Sequence, residues 1–470
     1  MKLYNTLTRQ IDDIKPINPP VVTVYTCGPT VYDYPHIGNW FTFIRYDILV
    51  RTLIASGIEP RWVMNITDVG HLVSDADEGE DKLEKGAKRE GKSAWDIATF
   101  YSDYFMKGLK RLNFLEPDYL PKATDHIAEQ IDLIKKLEEK GFTYVIDDGV
   151  YYDTSKFPGY ANFARLDLDE QQAGKRVSLN PQKHSPTDFA LWKFSPKDHQ
   201  RDMEWDSPWG KGFPGWHIEC SAIAMKYLGE TIDIHAGGID HLPVHHTNEI
   251  AQSEAANGQP LANCWMHNNH ILTENEKISK SLGNTITLED IEAKGYSLDD
   301  LRLLVLESHY RTQSRFSWDN LTAAKNSLKN IRNDISWIYQ IEASDRQPLD
   351  NLSSELGSVK QAILSALQDD LNTPKALSTL YEYLASFVQA NASRLDLPVV
   401  KAFADFIEDI FGIKILVEVK LTEAQQALIK QRNSAREAKD WAKSDELRDQ
   451  LADQGIGLRD NNNITLWYLL

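Results

Sequence analysis

The chain has little cysteine and no long apolar run. Three cysteines occur in 470 residues, and no two of them have the Cys-x-x-Cys spacing. That excludes a disulfide framework and zinc-finger spacing, and it fits a reducing compartment. No stretch reaches the roughly eighteen apolar residues that a membrane span needs, so no membrane segment is expected. The start, MKLYNT, lacks the charged-then-apolar order of a secretory signal, and a cytoplasmic location is expected. There is no internal repeat and no low-complexity tract. Positive charge is in deficit: 51 Lys and Arg stand against 69 Asp and Glu, a formal net charge of −18. That total does not suggest nucleic-acid binding, but phosphate contact depends on local patches rather than on the sum.

The length calls for two to four domains, at roughly 100–200 residues each. The first third has an α/β pattern. Residues 21–26 and 61–66 are expected strands and 41–56 a helix between them, with further helices over 94–112 and 125–140. Strand, helix, strand in this order implies a parallel sheet with its ligand at the carboxyl ends of the strands. Residues 144–153 have a hairpin pattern, with Asp148-Gly149 as the turn signal. From 154 to 213 the composition shifts to Pro, Ser, Lys and Asp, as in an insertion between two halves of a sheet. Strands are expected again at 231–235 and 264–271. After about residue 318 the pattern is helical, with Thr373 as a cap and Pro374 in the first turn of one helix. The last segment, 421–470, is expected to hold one charged helix and a short apolar tail. The fold class expected is therefore α/β: a Rossmann-like parallel-sheet domain with an insertion, then a helical bundle and a small C-terminal domain. The boundaries expected are 1–153, 154–213, 214–317, 318–420 and 421–470.

Two short words carry chemistry. His36-Ile37-Gly38-Asn39 follows the first apolar run, and Lys277-Ile278-Ser279-Lys280-Ser281 lies about 240 residues later. A helix N-terminus after a strand offers free N–H groups and a favourable dipole to a nucleotide's phosphates. A lysine loop can neutralise the charge that develops as pyrophosphate leaves. In this order the words resemble the HIGH and KMSKS signatures of class I aminoacyl-tRNA synthetases. Alone, His36 could be a helix cap and Lys280 part of a solvated basic loop.

Cys27, Cys220, His245 and Glu249 form a third feature. His245 and Glu249 are four apart in a helical pattern, so both project from one face. Two thiolates, an imidazole and a carboxylate make a reasonable zinc shell. The alternative is that the cysteines are buried thiols. On that view His235, His241, His245 and His246 form a polar core or a phosphate-facing cluster.

Longer segments sharpen the resemblance. Residues 25–39 (YTCGPTVYDYPHIGN), 215–221 (GWHIECS), 233–240 (DIHAGGID) and 245–252 (HHTNEIAQ) are similar to cysteinyl-tRNA synthetases, and the likeness runs from Tyr4 to about Asp460. The resemblance implies zinc on Cys27, Cys220, His245 and Glu249, one ion per chain, with the substrate thiolate as a further ligand. It places Gly28, Thr30, Thr67, Trp216 and Asp240 around L-cysteine. It assigns His36, Gly38, Asn39 and Lys280 to ATP, with Mg²⁺ on the phosphates. His36, Asn39, Lys277 and Lys280 become the catalytic set. The implied partner is tRNA(Cys), the expected oligomeric state a monomer. Taken alone, Trp216 could be a core aromatic, Thr67 a strand-end residue and Asp240 a turn residue.

Two segments depart from the family pattern: the acidic stretch 75–81, read as a surface loop, and the apolar ending Trp467-Tyr468-Leu469-Leu470. Cys264 has no motif counterpart and is taken as core. The expected phosphate contacts of the C-terminal segment lie on Lys430, Arg432, Arg436, Lys439, Lys443 and Arg448. Three other readings stay open: a cysteine ligase of mycothiol synthesis, a silent tRNA-binding paralogue and an unrelated nucleotidyltransferase. Intact His36, Lys280 and all four zinc-type residues count against the last two.

Overall fold

The computed structural model describes residues 1–70, 81–166, 180–197, 200–273, 276–277, 285–341, 349–387, 394–461 and 464–470. These form two compact units: 1–294 with 308–316 and 368–371, and 295–307 with 317–367 and 372–470. No helix among the described residues is long and apolar enough to cross a membrane.

The first unit is built on a four-stranded parallel sheet. Its strands are Val21–Thr26, Glu59–Met64, Ile232–Gly238 and Ala262–Asn268. Across the sheet the order is 262–268, 232–238, 21–26, 59–64, every pairing parallel. Val22, Val24, Ile232 and Ile234 have no exposed surface. A parallel sheet is covered on both faces, which is why these strands read as apolar runs. Chain order runs outward from Val21–Thr26 to one side first, then restarts on its other side at Ile232–Gly238. The crevice between those two strands is therefore the topological switch point, where α/β sheets bind ligands.

The helix after the first strand is Ile37–Ala55, four residues longer at its start than the periodicity predicts. Gly38 and Asn39 read as loop residues, but they form its first turn. The helix is buried nearly all round, with Arg51 on Asp47 at 2.7 Å inside the core. The hairpin strands are Thr143–Ile146 and Gly149–Tyr152, so the turn is Asp147-Asp148 rather than Asp148-Gly149. Gly149 is a strand residue. A Cβ there would lie 2.3 Å from the carbonyl oxygen of Trp192 on the next strand. Phe189–Phe194 and Gly212–Pro214 extend this hairpin to a four-stranded antiparallel sheet. The stretch 75–80 of the acidic segment lies outside the described residues. Asp81 is buried: it caps the helix Lys82–Glu90 and pairs with buried Arg201. Cys264 is buried in its strand.

The second unit is mainly helical, with Leu298–Leu306, Trp318–Ser336, Leu352–Gln368, Thr373–Phe387 and Leu397–Phe411. Asn372, not Thr373, caps the fourth of these, its Oδ1 accepting the Lys375 N–H at 3.1 Å. The C-terminal segment holds two helices, Glu423–Glu437 and Trp441–Ala452, where the sequence suggested one. The break falls at Lys439, whose φ is +58°. The apolar tail is the second strand of a hairpin, Ile456–Asn461 with Ile464–Leu469.

Arg432 is fully buried here and grips Asp460 with both terminal nitrogens, at 2.5 and 2.6 Å. Arg436 also pairs with Asp460. Asp460→Ala leaves a buried guanidinium without its counter-charge. Breaking a fully buried pair costs about 3–5 kcal/mol; Asp460 is 20 % exposed, so about 2 kcal/mol is expected. Amide exchange of the hairpin should quicken about thirtyfold. Unchanged exchange would show that the pair does not hold the hairpin down.

Candidate active site

The switch-point crevice opens into a cavity of about 330 Å³. Gly28 sits at its base, just past the first strand. A Cβ at Gly28 would lie 1.7 Å from the Asn65 carbonyl oxygen, so only glycine fits. The Gly28 N–H donates to Asn65 Oδ1 at 2.9 Å, and Asn65 Nδ2 donates to Thr67 Oγ1 at 3.0 Å. Thr30 and Thr67 face each other in a parallel bridge. Asn65, buried beside the next strand's end, thus ties the two threonine-bearing walls together.

The expected zinc residues meet on one wall. One ligand atom each of Cys27, Cys220, His245 and Glu249 lies within 4.8 Å of all the others. All four are buried. Cys27 follows the first strand, and Cys220 sits in the helix Trp216–Leu228. His245 lies in a π-helical turn, Leu242–His246, which leads into the helix Thr247–Asn257 carrying Glu249. His245 Nε2 stands 2.9 Å from Glu249 Oε1. The other ring nitrogen of His245 lies 2.9 Å from His217 Nδ1, and Glu249 Oε2 lies 2.9 Å from His235 Nε2. Such outer partners orient a metal ligand and fix which atom it presents.

The electrostatics point the same way. A hydrogen bond from Cys27 brings Cys220 down to about 7, with His245 assisting. Burial, and then Cys220, push Cys27 up. Burial would lower His245, but Glu249 and Cys220 outweigh it and raise it to about 10. Burial would likewise raise Glu249, but His235 and His245 hold it well below the usual carboxylate range. A buried thiolate and carboxylate hold the proton on His245, and a divalent cation bound to the same atoms would take that proton's place. A second grouping, Cys27, His235, His246 and Glu249, also converges. In it His246 is bonded through Nε2 to Cys27 at 3.3 Å and through Nδ1 to His267 at 2.8 Å. The set with two sulfurs is the better match for a soft ion, and the residues fit zinc.

His36, Gly38 and Asn39 line the same cavity. Asn39 Oδ1 accepts the His36 backbone N–H at 3.0 Å, which leaves its amide N–H groups to donate. A Cβ at Gly38 would come within 2.9 Å of the His36 ring. The Ile37 N–H is taken by the Ile286 carbonyl at 2.8 Å. This bond ties the far stem of the lysine loop to the helix start. Lys277 ends a short strand, Glu276–Lys277, paired with Ile271–Thr273. Lys280 lies outside the described residues.

Trp216 and Asp240 also line the cavity. The Trp216 ring lies 4.5 Å from that of His245, between centroids, so it flanks the candidate metal site rather than filling the core. Asp240 is exposed at the mouth. Sequence reasoning missed Asn65, His217 and the strand-end stretch 268–271. Asn65 follows a strand by one residue, a position where ligand contacts concentrate; that signal was available. His217 had none, because its partner is His245, 28 residues away.

Comparison with known proteins agrees with this geometry. The tRNA synthetases class I (C) catalytic domain matches residues 13–326. A DALR domain matches 362–415, and the cysteinyl-tRNA ligase anticodon binding domain matches 418–467. The cysteine--tRNA ligase of Treponema denticola is 43 % identical, covering 99 % of each chain. Cysteine--tRNA ligase 1 of Burkholderia lata is 45 % identical, covering 98 % of this chain and 95 % of its own. Among solved structures, a Mycobacterium tuberculosis methionyl-tRNA synthetase in complex with methionyl-adenylate shares the fold. Its TM-score is 0.59 at 15 % identity, over 83 % of this chain and 92 % of that one. The parallel sheet with its switch-point cleft is that of a class I aminoacyl-tRNA synthetase. Within that class, the chain belongs to the cysteine--tRNA ligase family.

Proposed function

We propose that this chain activates L-cysteine with ATP and transfers it to the terminal adenosine of tRNA(Cys). One observation carries this reading: Cys27, Cys220 and His245, which converge with buried Glu249, line the same cavity as His36, Gly38 and Asn39 of the helix start. The cysteine carboxylate attacks the α-phosphate in line, and pyrophosphate leaves. His36 and the Asn39 amide donate to the phosphates as charge develops, and Lys280, with Lys277, neutralises the leaving group. Gly28, Thr30, Thr67, Trp216 and Asp240 surround the amino acid. Cys27, Cys220, His245 and Glu249 hold one zinc ion, whose preference for a thiolate over a hydroxyl supplies selection against serine. Mg²⁺ accompanies ATP and screens its phosphates. The protein works in the cytoplasm as a monomer.

Cysteine-dependent exchange of pyrophosphate into ATP tests the first step, and charging of tRNA(Cys) tests the second. Exchange without charging would favour the small-molecule cysteine ligase. The match of residues 418–467 to an anticodon binding domain supports the tRNA reading.

We assign tRNA reading to the helical bundle of 318–420 and the segment 421–470. Arg432 and Arg436 are engaged by Asp460, Lys443 by Glu446 and Arg448 by Asp445, so the phosphate contacts fall first on exposed Lys430 and Lys439. Truncation before Leu421 is expected to leave exchange unchanged and to raise the tRNA concentration needed for charging at least tenfold. The truncated chain can no longer form the salt-sensitive phosphate pairs or stack the anticodon bases. Charging at the full-length level would remove this segment from the tRNA interface.

A further inference from the structure

Beside the cavity, outside the residues assigned so far, lies an exposed aromatic patch. Tyr34 both lines the cavity and is 39 % exposed; Phe100 is 43 % exposed. Their ring centroids are 6.2 Å apart, and Tyr104 adds a half-buried ring 4.8 Å from Tyr34. Tyr34 precedes the His36 loop by two residues, and Phe100 and Tyr104 lie on the helix Ala94–Arg111. Lys92 Nζ stands 5.1 Å over the Phe100 ring. Arg89 is exposed on the helix before it. The Glu90 carboxylate is engaged by Arg89 and Lys92, both at 3.1 Å, and Asp33 also acts on Arg89, so the patch carries both signs of charge with its two cations beside the rings.

We propose that Tyr34 and Phe100, with Lys92 and Arg89, form the platform for the unpaired 3′ end of the tRNA. This rests on the function proposed above. Exposed rings interleaved with cations suit a single strand, because every base has a face to stack and every nucleotide a phosphate to neutralise. The patch is continuous with the cavity through Tyr34. The strand must cross the rim of that cavity to bring its terminal ribose to the activated amino acid. A protein partner seated on the same rings would crowd the mouth that the tRNA has to use.

Phe100→Ala and Lys92→Ala test this in the full-length, metal-replete protein. Neither residue lines the cavity. For Phe100→Ala, KM for tRNA in charging is expected to rise about tenfold, the effect of losing one stacked base. Cysteine-dependent pyrophosphate exchange should be unchanged, and Phe100→Trp should restore charging. Lys92→Ala should raise the same KM about threefold, less so at high salt. Binding is then measured with intact tRNA and with tRNA lacking its last four nucleotides. Phe100→Ala should weaken only the intact form. Equal weakening of both forms, unchanged charging, or parallel loss of exchange would overturn the platform. If the unaltered protein itself fails to charge tRNA(Cys), the proposed function fails instead, and the two outcomes are distinct.

Discussion

Cys220→Ser is expected to release most of the zinc, from about one ion per chain to a small fraction, and to lower discrimination of cysteine from serine. The thiol sits among Cys27, His245 and Glu249, where Cys27 and His245 bring it down to about 7. A hydroxyl in its place does not ionise near neutral pH, and it is a hard ligand where the set is soft. Without the ion, the cavity separates the two amino acids only by contact and hydrogen bonding, which for near-isosteres is worth roughly a hundredfold. Metal analysis of the purified variant reads the first effect. Pyrophosphate exchange with each amino acid reads the second. Zinc content equal to that of the unaltered protein would remove Cys220 from the ligand set. It would turn attention to the grouping with His235 and His246.

Lys280→Ala is expected to slow adenylate formation by roughly two to three orders of magnitude while changing cysteine affinity little. A cation that meets charge developing only in the transition state contributes to rate rather than to ground-state binding. The described residues on either side of Lys280 reach the cavity and the His36 helix start. Strand Ile271–Thr273 leads in, and Ile271 lines the cavity. On the far side the Ile286 carbonyl accepts the Ile37 N–H, and Thr287 caps the helix Leu288–Ala293. Pre-steady-state measurement of adenylate formation, set beside cysteine binding, reads the difference. An equal loss in both would mean that Lys280 supports the loop's structure instead.

The chain's own order of residues determined the elements and displayed the two short words. Apolar residues clustered in short runs marked the buried parallel strands, and the two words stood in the right order. Such signals are local: periodicity reports which face of a strand or helix is covered, and it does so within one element. The same locality explains the misplaced boundaries. Gly38 reads as a loop because glycine is a poor helix former, and the bond that holds this helix start, from the Ile37 N–H to the Ile286 carbonyl, comes from far along the chain. Gly149 reads as a turn because its close neighbour, Trp192, lies on a distant strand.

Only the tertiary structure decided which residues meet. His245 and Glu249 share a helical face, and the spacing shows it. Their meeting with Cys27 and Cys220 depends on Val21–Thr26 pairing with Ile232–Gly238, a contact no spacing encodes. Family resemblance supplied that set, but not Asn65, which joins Gly28 to Thr67, nor His217 behind His245. Arg432 shows the limit most plainly. In a charged helix it reads as a solvated base available to phosphate. A partner 28 residues away, Asp460, makes its burial tolerable, because a buried charge is stable only where its counter-charge is brought to it.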